Sequence, residues 1–179
     1  MRVLRALFKK SRGSRIFNLM RLRDAIPDDL NFLLETERRS AALGFVHADD
    51  VCTHERQMSD PDYAYYTIEE GDKLAGYVIL RGLTSSGCCL ELKRVVIAGP
   101  GRGLGSQVLR AIIEKAFGEF RAHRLWLDVF EGNDRARHVY RSAGFVEESN
   151  PREYIKNGER QRSLVVMSML EGEHRQNFD

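Results

Sequence analysis

Between residues 90 and 120 an apolar strand, a glycine loop and an amphipathic helix follow one another. The loop carries glycine at every second position: Gly99, Gly101, Gly103 and Gly105. From Ser106 the apolar residues fall at Leu109, Ile112, Ile113, Ala116, Phe117 and Phe120, the spacing of one helical face. Glycine-rich backbone feeding a helix start leaves several N–H groups free, and the helix dipole adds partial positive charge there. The chemistry is phosphate or pyrophosphate binding, with the amides of Gly101, Arg102, Gly103, Leu104, Gly105 and Ser106 as donors. Two further side chains offer proton transfer. Tyr140 carries a phenol that is protonated at neutral pH and can donate. Glu91 carries a carboxylate on the strand before the loop, on the face opposite Leu90 and Leu92.

Three better-known loops do not fit. A P-loop needs Gly-Lys-Ser/Thr, and Gly105 is followed directly by Ser106. The dinucleotide fingerprint G-x-G-x-x-G would need glycine at Leu104 or Ser106. A nucleophile elbow G-x-S-x-G would need glycines flanking Ser106 at the positions of Leu104 and Val108. Pro100-Gly101-Arg102-Gly103-Leu104-Gly105 instead resembles the pyrophosphate loop Q/R-x-x-G-x-G/A of the GNAT superfamily of N-acetyltransferases. Pro100 departs from that pattern, since proline has neither an N–H nor a long polar side chain. Arg102 supplies charge inside the loop. After the strand 125–130 comes Asn133, Ala136, Tyr140, Gly144 and Phe145. These resemble the superfamily's second motif, N-x-x-A-x-x-x-Y-x-x-x-G-F, at every position. The resemblance covers roughly residues 20–170.

The resemblance implies an acyl-CoA N-acyltransferase fold: α/β (α+β), with a mixed, mostly antiparallel sheet of six to seven strands and about four helices. It implies direct acetyl transfer from acetyl-CoA, as co-substrate, to a primary amine, whether a small molecule or a protein N-terminus. Backbone N–H groups at Val95, Val96 and Ile97 would hold the pantetheine and polarise the thioester carbonyl. Asn133 would bond the pantetheine. Tyr140 would be the general acid, although its place on an apolar helix face also fits a core tyrosine. Glu91 is the candidate base, directly or through water, and a salt-bridged glutamate reads equally well. Arg152, Glu153 and Tyr154 are acceptor contacts or a solvated loop. A non-catalytic acyl-CoA-binding module of the same fold is the alternative function.

Those side chains need elements to position them. Strands are expected over 18–23, 63–69, 74–83, 90–97, 125–130, 145–148 and 164–170. A helix entry at Pro27-Asp28-Asp29 leads a helix to about Ser40, and 50–59 forms a second. In the resembling family these helices line the acceptor side. Asn133 caps the helix after residue 130, and Gly144 suits the left-handed residue that ends it. Asn157-Gly158 marks a hairpin turn. The strand 90–97 breaks its own alternation at Lys93-Arg94, as a bulge would make it do. In the resembling family a bulge there splays the strand from its neighbour, and the pantetheine lies in the gap.

The 179 residues suit one domain with a sizeable core, assigned to 20–171, with a basic arm at 1–19 and a polar tail at 172–179. Lys and Arg number 28 against 26 Asp and Glu. Residues 1–21 hold seven of those bases and no acid, so the remainder is negative, 21 against 26. That disfavours a nucleic-acid partner, despite the basic arm. Met20 is an alternative start. No apolar run reaches the ~20 residues of a membrane span. Cys52, Cys88 and Cys89 fit a reducing cytoplasm better than a disulfide framework. The five histidines share no metal spacing with them, so no metal is expected. A monomer or a homodimer is expected.

Overall fold

Alternating apolar residues build seven strands into one sheet: β1 (Met20–Asp24), β2 (Tyr63–Glu70), β3 (Lys73–Arg81), β4 (Cys89–Ile97), β5 (Arg124–Phe130), β6 (Val146–Ser149) and β9 (Leu164–Leu170), while β7 (Ile155–Asn157) and β8 (Arg160–Arg162) form a separate hairpin. The order is β1-β2-β3-β4-β5-β9-β6. Every pair is antiparallel except β4–β5. A parallel pair needs a long crossover, and α3 (Leu104–Glu114) supplies it. The other helices are α1 (Leu30–Ala42), α2 (Val51–Met58), α4 (Asp134–Ser142) and α5 (Glu171–Phe178). This computed structural model describes residues 20–44, 46, 48–99, 103–149, 155–157 and 160–178. The basic arm, Pro100, Gly101, Arg102, Arg152, Glu153, Tyr154 and Gly158 lie outside them.

The sheet separates two apolar clusters. On one face Val78, Leu80, Leu92, Leu127, Val129 and Met167 pack with Val108, Leu109 and Ile112 of α3, and with Ala136, Val139 and Tyr140 of α4. On the other, Leu33 of α1 packs on Tyr65, Tyr77, Ile79 and Val96. Side chains alternate between faces along a strand. Leu125, Leu127 and Val129 therefore go to the α3/α4 face, while Trp126, Asp128 and Phe130 go to the α1/α2 face.

The expected bulge is present. Ile79 pairs with Arg94 and Leu80 with Leu92, so Lys93 is the extra residue. Before it, Glu91 points to the α1/α2 face; after it, Arg94 and Val96 do. Gly144 ends α4 with φ 98°, the left-handed position it was expected to take.

Three expectations need adjusting. α3 begins at Leu104, two residues early, because Gly103 with φ 73° serves as its N-cap. Leu104, Gly105 and Ser106 are thus the first helical turn rather than loop. Past Glu114 the helix widens into a π turn, Lys115–Glu119. The polar tail is helical as α5. There the Glu173 carboxylate accepts the Leu170 N–H at 2.8 Å, and His174 stacks on Phe117 with ring centroids 4.8 Å apart. A chain of polar residues hides that docking from a reading of hydrophobic periodicity.

Candidate functional site

The site begins where β4 and β5 part. They pair only at Cys89–Arg124, Leu90–Leu125 and Glu91–Trp126. Beyond that β4 runs on to Ile97 alongside β3, and β5 runs to Phe130 alongside β9. The gap opens into a cleft of about 540 Å³ that passes from the α3/α4 face to the α1/α2 face. Ala98 N–H donates to Ala75 on the β3 side at 2.8 Å. Strand alternation therefore turns the N–H groups of Val95 and Ile97 toward the gap and that of Val96 toward β3. Val96 still lines the cleft.

The first turn of α3 stands at the mouth. Gln107 N–H reaches Gly103 O at 3.4 Å, so the amides of Leu104, Gly105 and Ser106 precede the helical ladder and have no partner within it. Gly103, Leu104, Gly105 and Ser106 all line the cleft. A Cβ on Gly103 would meet nothing within 4 Å, so this glycine is needed for its left-handed φ rather than for space. The donors suit a pyrophosphate. Gly101 and Arg102, the other two loop residues assigned to it, lie outside the described residues.

α4 brings Asn133 and Tyr140 to the same cleft. Asn133 Oδ1 accepts the Ala136 N–H at 3.2 Å, so its oxygen is spent as a helix cap. Its amide nitrogen is the atom left for a ligand. Tyr140 packs against Phe145, with ring centroids 5.9 Å apart. Some of its surface opens along the cleft, yet desolvation dominates its hydroxyl and pushes its pKa up to about 12, with the Asp128 charge adding to it. Tyr140 belongs to the α3/α4 face. Glu91 and Asp128 come from the opposite face, so acid and carboxylates meet across the gap.

Glu91 is buried and ion-paired with Arg81. Burial raises its pKa, Arg81 opposes that, and Asp128 adds to it. Glu91 thus lines the cleft and is salt-bridged. Asp128 was not singled out from the sequence. Its side chain is accessible through the cleft, but enough protein surrounds it that desolvation raises its pKa against the pull of Arg81, Arg94 and Lys93. The available signal was its place two residues beyond Trp126, the partner of Glu91. Without the parallel register that signal could not be read.

Beneath the acceptor face lies a polar network that was also missed. His54 is fully buried, with Nε2 2.6 Å from Glu37 Oε2 and Nδ1 3.1 Å from Tyr65 Oη. Burial lowers the His54 pKa. Tyr65 donates to Gln57 Oε1 at 2.7 Å. Arg94 pairs with Glu37 and, at 3.1 Å, with Asp49, which also takes Lys93 at 3.2 Å. Glu37, Asp49 and His54 bring one ligand atom each within 4.8 Å of one another. The cation already held between the two carboxylates is the Arg94 guanidinium.

Comparison with known proteins agrees with this fold. The family model described as the acetyltransferase (GNAT) family matches residues 28–145. A spermidine N-acetyltransferase from Vibrio cholerae, solved in complex with CoA and spermine, superposes with a TM-score of 0.79 at 20% identity, covering 87% of this chain and 98% of that one. A dodecameric structure of the Vibrio cholerae spermidine N-acetyltransferase gives a TM-score of 0.77 at 19% identity, over 89% of this chain and 98% of that one. A manganese complex of the Vibrio cholerae spermidine/spermine N-acetyltransferase gives 0.75 at 20%, over 89% and 97%.

Proposed function

The chain belongs to the acetyltransferase (GNAT) family and is an acetyl-CoA-dependent N-acetyltransferase acting on an amine; we propose that transfer is direct, in a ternary complex, with Tyr140 as general acid and Glu91 as base. The observation that carries this is the parting of β4 from β5 after Glu91–Trp126, with Tyr140 on one side of the gap and the carboxylates on the other. Acetyl-CoA, when bound, supplies the activated thioester. The amides of Leu104, Gly105 and Ser106 receive its pyrophosphate, joined by Gly101, Arg102 and Gly103 of the loop. Asn133 Nδ2 and the strand β4 hold the arm in the gap. The N–H groups of Val95 and Ile97 take the charge that develops on the carbonyl oxygen. Glu91 accepts the proton the ammonium must lose, directly or through water. As the nitrogen–carbon bond forms and the carbon–sulfur bond breaks, Tyr140 Oη gives the departing sulfur its proton and recovers one, through water, from the newly acetylated nitrogen.

The acceptor is a primary amine, a small molecule or a chain N-terminus. We assign the enzyme to the cytoplasm, as a monomer or homodimer working without a metal ion. Three free thiols, two of them exposed, suit a reducing compartment. None of the described helices is long and apolar enough to cross a membrane.

The test is thiol release from acetyl-CoA across a panel of primary amines, wild type beside Glu91→Gln. Ionised Glu91 is the working form, and its pKa is raised by burial. Wild-type kcat should therefore fall on acidification through a pKa above the ordinary carboxylate value. The Gln variant should lose that limb and at least about tenfold in kcat. An unchanged profile in the variant removes Glu91 from the proton path.

A further inference from the structure

The same cleft says what kind of amine it takes, on the premise of the acetyl-transfer reading above. Among the described residues two carboxylates line it, Glu91 and Asp128. Glu91 is paired with Arg81. Asp128 has no hydrogen bond or ion pair among the described residues. Lys93 and Arg94 also line the cleft, and their charges are answered by Asp49 and Glu37 behind them. Arg135 lines the cleft from α4; among the described residues of the α1/α2 face, Asp128 is the lining carboxylate without an ion-pair partner, with Arg81, Arg94 and Lys93 near enough to pull on its charge.

The cross-strand neighbour of Asp128 is apolar. Asp128 pairs across the strands with Val166, and Phe130 with Leu164; paired residues share a face. Leu43 and Val46, after α1, also line the cleft. Leu43 is 71% exposed there, an apolar side chain held in water unless something covers it. We propose that the acceptor carries a single ammonium beside an apolar body: the ammonium donates to Asp128, and the body lies against Leu43, Val46, Phe130 and Leu164, which line the cleft. A polyamine would bring a second and third ammonium against apolar side chains and toward Lys93 and Arg94, where, among the described residues, the one other carboxylate lining the cleft, Glu91, is held by Arg81. A small hydrophobic amine and a peptide with a bulky apolar first residue offer the same chemistry.

The experiment uses the full chain. Acetyl-CoA binding is first measured by calorimetry. Thiol release is then compared for 2-phenylethylamine, the peptide Phe-Gly-Gly and spermidine. One of the first two should exceed spermidine at least tenfold in kcat/KM, and which one does so identifies the source. Asp128→Asn should raise KM for that acceptor at least tenfold and leave the acetyl-CoA Kd within twofold. Val166→Glu, which adds a second carboxylate beside the first, should shift the preference at least tenfold toward spermidine. Preference of the wild type for spermidine, an unchanged KM in Asp128→Asn, or turnover of none of the three by a protein that binds acetyl-CoA overturns the proposal. Failure to bind acetyl-CoA at all overturns the acetyl-transfer reading instead.

Discussion

Tyr140→Phe should lower kcat about a hundredfold, near 2.7 kcal/mol of transition-state stabilisation, and leave the acetyl-CoA Kd within twofold. The substitution keeps the ring that packs on Phe145 and removes only the hydroxyl. The measurement is steady-state thiol release beside a cofactor titration. The pH dependence adds a second check. Tyr140 is pushed up to about 12 by desolvation, so its donating form is fully present through neutral and mildly alkaline pH. Wild-type activity should therefore show no alkaline loss attributable to this group below about pH 11. Because burial penalises the phenolate, the shift leaves folding unaffected below the unfolded pKa of about 10 and costs stability as pH rises from there through 12. A kcat within twofold of wild type would make Tyr140 a core residue of α4.

The largest stability effect should come from Arg94→Met. Arg94 is almost fully buried and pairs with Glu37, which is entirely so. Burial pulls Arg94 down to about 10, which still leaves it a cation at neutral pH. Removing it strands the Glu37 carboxylate beside His54. Breaking one partner of a buried pair costs about 3–5 kcal/mol, or roughly 10–15 °C in Tm for a domain of this size. Scanning calorimetry reads it directly. Adding Glu37→Gln should recover most of the loss, because the amide still accepts from His54 and no buried charge remains. A Tm within 3 °C of wild type in the single variant would mean that this network contributes little. The effect reaches the site as well, since Arg94 sits beside the bulge from which β4 turns away from β5.

Much of the α3/α4 side of the cleft was legible because its signals are local. The helix after the glycine loop, the cap at Asn133 and the left-handed Gly144 are each set by a few adjacent residues. Even the bulge showed itself, as one slipped step between Leu92 and Val95. The α1/α2 side was not legible, for two physical reasons. Its polar contacts join distant segments: His54 to Glu37, 17 residues apart, and Arg94 to Asp49, 45 apart. No periodicity encodes those pairs. And Asp128 reads as the polar position of an alternating strand until the parallel register sets it on the face of Glu91. The tail read only as polar, and its helix did not show, because α5 docks through one histidine on Phe117 rather than through an apolar face.

The central claim is that the first turn of α3 and the gap beside β4 hold acetyl-CoA, and one titration tests it. Acetyl-CoA is titrated calorimetrically into wild type and into Ser106→Glu. Ser106 is exposed in the first turn of α3 and lines the cleft. A carboxylate there complements the helix dipole and should hold or raise Tm, while opposing a pyrophosphate by about 1–3 kcal/mol, a tenfold to hundredfold loss of affinity. Micromolar binding by wild type, weakened at least tenfold in a variant that melts no earlier, is the predicted result. No binding by wild type, or equal binding by both proteins, contradicts the account.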